Sequence, residues 1–183
     1  MKIKLDKPAP LLAPVPAAIV SVGCESLGDN IIAVSWIGVA CSEPPHITIG
    51  IRRDGRFSYR HLIENGEFVV NIAGEDLVEA VAAAGSLHGD SVNKWEKAGL
   101  RKITAEKISV PLVAECKINM ECVVKHRMEL GSHDLFVGEI VAVHADEDVL
   151  TDGKIDPAKL KPLAYLPFTG KYYGLKNPEI YSH

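Results

Sequence analysis

The sequence predicts a mainly β protein, an antiparallel β-barrel with helices inserted mid-chain. Three observations carry that expectation. Strand-like apolar and β-branched runs recur in both halves of the chain. The helical segments cluster in the middle instead of alternating with strands, as a parallel βαβ fold would require. Neither GxGxxG nor GxxxxGK[ST] occurs, so the phosphate fingerprints of parallel nucleotide-binding sheets are absent. At 183 residues the chain reads as a single domain, 1–183, large enough for a real core.

In order, residues 8–16 (PAPLLAPVP) hold four prolines and predict an extended lead-in. Strands follow at 18–23 (AIVSVG), 31–39 (IIAVSWIGV) and 46–52 (HITIGIR). Ser42-Glu43-Pro44-Pro45 separates the last two, because paired prolines cannot continue a ladder. A helix is expected at 57–65, with Tyr59, Leu62 and Ile63 on one face and Gly66 as its left-handed cap. A fourth strand, 68–73 (FVVNIA), comes next.

Two more helices are expected, at 75–84 and 91–98. The first turns Leu77, Val78, Val81 and Ala82 inward and is capped by Gly85. The second is capped at its start by Asp90 or Ser91 and ends at Gly99. From 114 to 126 the alternation is that of a half-buried strand. Ala114, Cys116, Ile118, Met120, Cys122 and Val124 take one face, and Glu115, Lys117, Asn119, Glu121 and Lys125 the other. A strand at 135–144, a helical turn at 156–160 and an aromatic tail from Leu163 without periodicity complete the chain.

The net charge of −4 offers no attraction to nucleic acid or an anionic membrane, so an anionic ligand needs a local basic cluster. No apolar run reaches membrane-spanning length. The N-terminus, MKIKLDK, lacks a hydrophobic signal core, so a cytoplasmic location is expected. Cys24, Cys41, Cys116 and Cys122 form no CxxC pair, which favours reduced thiols over a metal or redox role.

Four constellations could carry chemistry. In Arg52-Arg53-Asp54-Gly55-Arg56-Phe57-Ser58-Tyr59-Arg60, a strand gives way to a helix and three arginines gather near its start. That pattern suits phosphate capture, and suits a solvated basic turn equally well. Ser35 beside Trp36 is a polar interruption of an apolar strand, with core packing as the plainer reading. His133, in Gly131-Ser132-His133-Asp134, stands at a strand entrance, where it could meet a ligand or pair with Asp134. Gly85 and Gly89 frame a loop that could approach a planar ligand or simply connect two helices. His46, His61, His88, His126, His144 and His183 show no metal-ligand spacing and read as structural or exposed.

Taken in order, NIIAVSW with SEPP, IRRDGRFSYRHLIENGEFVVNI, DSVNKWEKAGL, PLVAECKINMEC and GSHDLFVGEIVAVH resemble the flavin reductase-like family over nearly the whole chain. The branch most similar is that of flavoredoxins and archaeal-type ferric reductases. The resemblance implies the FMN-binding split-barrel fold and a homodimer with FMN, or FAD in its place, near the subunit interface. It implies that Ala33, Ser35 and Trp36 meet the flavin and that Ala40, Cys41 and Ser42 border the ring. Arg52, with Ser58 and Tyr59, would form the phosphate turn, with the arginine that holds the phosphate left open among Arg52, Arg53 and Arg56. Asn71 and Gly85 would border the cofactor, Lys94 would reach the phosphate or the flavin, and His133 would lie near the nicotinamide or the flavin edge. Arg53 and Asp54 stand where many relatives carry proline and serine.

The implied activity is electron transfer from NAD(P)H through the flavin to free flavin, a ferric chelate or a redox protein. A carrier reduced by a partner protein is the alternative.

Overall fold

The computed structural model describes residues 1–175. The first half holds β1 (Val15–Pro16), β2 (Ala18–Cys24), β3 (Gly28–Val34), β4 (Ile37–Ser42), β5 (Pro45–Arg52), helix α1 (Phe57–Asn65) and β6 (Glu67–Ile72). Helices α2 (Val78–Ser86) and α3 (Lys94–Lys97) precede the short strands β7 (Lys102–Ile103) and β8 (Leu112–Val113). A long hairpin, β9 (Ile118–Leu130) and β10 (His133–Ala145), is followed by β11 (Leu150–Thr151), β12 (Lys154–Ile155), α4 (Pro157–Leu160), β13 (Leu163–Leu166) and β14 (Lys171–Gly174).

Seven strands make one antiparallel sheet in the order β3-β2-β6-β9-β10-β5-β4. Its two edge strands are consecutive in sequence, joined only by Ser35 and Trp36. Three Cα steps reach at most about 11 Å, so the sheet must curl until its edges approach each other. No ladder joins β3 to β4 among the described residues. The barrel is split there, and the outer edge of β3 keeps its backbone groups unpaired by strand.

The inner face of the curled sheet is covered, and so is the outer face along β2, β3 and β6. Inside, Val20, Val22, Ile32, Ile49, Phe68, Val70 and Phe136 pack with Leu62 of α1. Outside, Ile19, Ile31 and Ala73 pack against Val81 and Ala84 of α2 and Trp95 of α3. Neighbours on β2 thus point into different cores, which is why the strand is apolar without alternation.

Several elements differ from expectation. The run 31–39 is two strands, because the chain crosses from one sheet edge to the other at Ser35-Trp36. Helix α1 matches its expected span, and Gly66 (φ 69°) caps it by donating to Leu62 O at 3.1 Å. Its buried side chains are Ser58, His61 and Leu62, however, while Ile63 faces solvent. The second helix opens with a 3-10 turn and runs through Gly85 to Ser86, and Ala82 is exposed. Asn93, not Asp90 or Ser91, caps α3 by accepting from Glu96 N.

The expected strand 114–126 starts at Ile118, and its polar face is covered at Asn119 and Glu121. Glu121 is fully buried and accepts from the backbone N–H groups of Glu106 and Lys107 at 2.8 and 2.7 Å. Asn119 donates to Asn71 Oδ1 and Val113 O. Cys116 and Cys122 share no face, since Cys122 lies in the inner core and Cys116 in the outer one. All four cysteines are free thiols. The tail forms a hairpin, β13 with β14, that places Tyr165 opposite Tyr172. His183 lies outside the described residues.

Candidate functional site

The bend that splits the barrel opens a cleft of about 800 Å³. One wall is the free edge of β3 and the bend itself, from Ile32 through Ala33 and Ser35 to Trp36. The end of β5 (Gly50, Ile51, Arg52) and the turn Asp54-Gly55-Arg56 form the floor. The last turn of α2 (Ala82, Gly85, Ser86), His88, His133 and the hairpin tyrosines Tyr165 and Tyr172 close it.

Close packing fixes the Trp36 corner. Gly50 N donates to Trp36 O at 2.7 Å, and a Cβ on Gly50 would stand 3.1 Å from Trp36 Cβ. Trp36 is 46 % exposed and lies parallel to the His133 ring, with centroids 6.2 Å apart and planes 6° from parallel. His133 faces Arg52 in the β5–β10 ladder, and its Nδ1 is 2.9 Å from Ser132 Oγ. Burial, with Arg52 and then Arg56, holds His133 below the usual histidine range, so its ring is neutral at neutral pH.

Of the residues singled out from sequence, Ala33, Ser35, Trp36, Arg52, Gly85 and His133 line the cleft. The others do not. Ala40, Cys41 and Ser42 are exposed on β4, the far edge strand. The Arg53 and Tyr59 side chains turn away and bond Asp134. Ser58 is buried beneath the turn and accepts from Asn30 Nδ2 at 2.9 Å. The Asn71 amide is spent in the core, where it donates to Ile19 O and accepts from Val113 N and Asn119 Nδ2. Lys94, 3 % exposed, donates to Ala84 O at 2.8 Å on the wall of a second cavity of about 410 Å³. Burial lowers its pKa to about 8, Arg56 adding to the effect and Asp90 opposing it.

The lining also includes residues that sequence reasoning did not assign to a site. Asp54 was visible in the arginine turn, beside the candidate Arg56 that also lines the cleft, and His88 in the glycine-framed loop. Gly50, Ala82 and Ser86 carried no local signal. Tyr165 and Tyr172 enter only through the pairing of β13 with β14.

A phosphorylated isoalloxazine fits this site on its chemistry. An unpaired strand edge offers backbone donors and acceptors to a heterocycle, and the mouth is aromatic. At one end two arginines stand beside the start of α1. Glycine at position 85 keeps the wall clear, since a Cβ there would meet Ala33 Cβ at 3.3 Å. A mostly β, split antiparallel barrel with such a cleft along its split is the architecture of the small flavin-binding split-barrel proteins.

The comparisons make that assignment specific. A family model, the flavin reductase like domain, matches residues 12–176, and the chain belongs to that family. An uncharacterized protein of Archaeoglobus fulgidus is 34% identical over 145 residues, covering 79% of this chain and 80% of that protein. Flavoredoxin of Desulfovibrio vulgaris (Miyazaki F) superposes with a TM-score of 0.91 at 30% identity, covering 100% of this chain and 97% of that one. Nitrilotriacetate monooxygenase component B from Bacillus cereus gives 0.87 at 28% identity, with 98% and 97% covered.

Proposed function

We propose that the chain binds FMN in the 800 Å³ cleft, with FAD as the alternative, and passes electrons from NAD(P)H to an acceptor. The acceptor would be free flavin, a ferric chelate or a redox protein. The observation that carries this reading is the meeting of a free strand edge and an arginine turn in one cleft. The chemistry supplied by bound FMN is acceptance of hydride from NAD(P)H and release of the electrons onward.

The protein's part follows from its residues. Arg52 and Arg56 neutralise the phosphate with charge-assisted hydrogen bonds. Backbone N–H groups between Ala33 and Trp36 would hold the heterocycle and offer donors to negative charge on it. Trp36 and neutral His133 border the open side and orient the nicotinamide or the acceptor. Lys94 supports the phosphate end from behind Ala84.

The same proposal includes a homodimer in the cytoplasm. Val39, Met128, Leu130 and Val143 are large apolar side chains exposed on β4, β9 and β10, as an interface would require. Ala40, Cys41 and Ser42 would then border the cofactor from the interface side.

The likeness to flavoredoxin favours a second reading, a carrier reduced by a partner protein. Anaerobic addition of NADH and NADPH to the flavin-loaded protein separates the two. Bleaching of the flavin by either nucleotide supports the reductase, and a flavin that stays oxidised supports the carrier.

A further inference from the structure

Directly behind the Arg52–His133 wall lies an ionic cluster built on a buried carboxylate, with its arginines reaching toward the surface. Asp134 is fully buried, and four donors serve its carboxylate. Oδ1 accepts from Arg53 Nη2 at 2.8 Å and Nε at 3.3 Å. Oδ2 accepts from Arg127 Nε at 2.7 Å and from the Tyr59 hydroxyl at 2.8 Å. Arg127 Nη2 donates in turn to the Tyr59 oxygen at 2.8 Å and to Glu129 at 2.9 Å. The cluster ties together the turn after β5, α1, β9 and β10.

Its position relative to the cleft follows from the ladder. Arg52 pairs with His133, and Ile51 with Asp134. Successive strand residues point to opposite faces, so when Asp134 is locked inside, His133 is turned outward into the cleft. Arg53 N also donates to Ser132 O at 3.2 Å, extending the β5–β10 pairing one residue past Arg52. An ion pair with one buried partner is weak evidence for stability, because desolvation of the carboxylate offsets much of its Coulomb energy. What it fixes here is geometry. Burial alone would raise the Asp134 pKa, yet hydrogen bonds from Arg53, Arg127 and Tyr59 hold it at about 2, so the cluster stays charged at any working pH.

We propose that Asp134 is a positioning residue: through Arg53, Arg127 and Tyr59 it sets the Arg52–His133 wall and the parallel seating of His133 on Trp36. The role in turnover rests on the flavin reading given above, but the geometric claim does not. The test therefore begins with the flavin-free protein.

Trp95→Phe leaves Trp36 as the one remaining tryptophan of the two. It costs no hydrogen bond, since Trp95 Nε1 has no partner. In that background Trp36 emission is recorded against pH. Protonation of the stacked His133 quenches it, and His133→Asn should flatten the profile. The titratable and charged groups that line the cleft with His133 are Arg52, Asp54 and Arg56 on the β5 side, His88 after α2, and Tyr165 and Tyr172 of the β13–β14 hairpin. Adding Asp134→Asn should halve the amplitude or more and move the midpoint up toward the ordinary histidine range, as the ring loosens into water. Loss of the negative charge with the geometry intact would instead move the midpoint down at full amplitude, and that result, or an unchanged profile, overturns the proposal. Tyr59→Phe removes one donor and should give the same shift, smaller, so the test survives if Asp134→Asn fails to fold. On the flavin-loaded protein, Asp134→Asn should lower NAD(P)H turnover about tenfold, a loss of about 1.4 kcal/mol in barrier stabilisation. A wild-type protein that never turns over would fail the flavin reading alone, leaving the emission profile to decide the role of Asp134.

Discussion

Arg56 Nη1 donates to the carbonyl oxygen of Gly85 at 3.2 Å, so the arginine turn and the last turn of α2 are in contact across the cleft. The bond places a cation against a helix C-terminal carbonyl, a favourable pairing that also parks the guanidinium beside the proposed phosphate. Arg56→Ala should weaken FMN binding by about 10- to 100-fold, the range for losing one charge-assisted hydrogen bond. Stability should change by less than about 1 kcal/mol, as for a part-exposed ion contact. Flavin fluorescence titration and thermal melts read the two effects separately.

Lys94 carries the opposite balance. Its pKa in the fold, about 8, lies below its ordinary value of 10.5, so folding disfavours the charged form. The penalty is complete below about pH 8 and disappears as the pH rises toward 10.5. Lys94→Met should therefore stabilise the flavin-free protein by about 2 kcal/mol at pH 7, allowing for solvent screening. The gain should shrink between pH 8 and 10.5 in denaturant titrations, while FMN affinity falls.

Asn71 separates architecture from chemistry. Its amide joins β2, β6, β8 and β9 through fully buried hydrogen bonds. Asn71→Ala should cost about 2–4 kcal/mol, because Val113 N and the Asn119 amide lose their acceptor. FMN affinity of the folded fraction should stay within about twofold, since the Asn71 amide is engaged wholly within the core.

Gly138 tests the inner core. A Cβ there would stand 2.5 Å from Phe68 Cζ and 3.2 Å from Cys122 Cβ. Both neighbours are fully buried, so neither can swing aside. Gly138→Ala should destabilise by about 1–3 kcal/mol, the usual cost of overpacking. A melting temperature unchanged from wild type would contradict this packing.

Much of this was legible in the sequence because it is local. Helix α1 and its Gly66 cap, the proline break before β5 and the hairpin entrance at His133 follow from residue type and spacing. The cleft residues Arg52, Trp36 and His133 were visible for the same reason. What escaped depends on partners distant in sequence. Asn119 and Glu121 alternate as a solvent face would, yet Asn71 and the backbone of 106–107 cover them. Arg53 and Arg52 are indistinguishable as neighbours, and only Asp134, 81 positions away, separates their roles. Tyr165 and Tyr172 reach the cleft through a hairpin whose short strands carry no periodicity.

The most direct test of the central claim compares FMN with riboflavin, which lacks only the phosphate, by quenching of flavin fluorescence on titration with the flavin-free protein. If the cleft holds the ring along β3 and the phosphate at Arg52 and Arg56, FMN should bind one per chain and at least about 30-fold more tightly than riboflavin, about 2 kcal/mol for the lost phosphate contacts. Equal affinity for the two, or no binding of either, would contradict it.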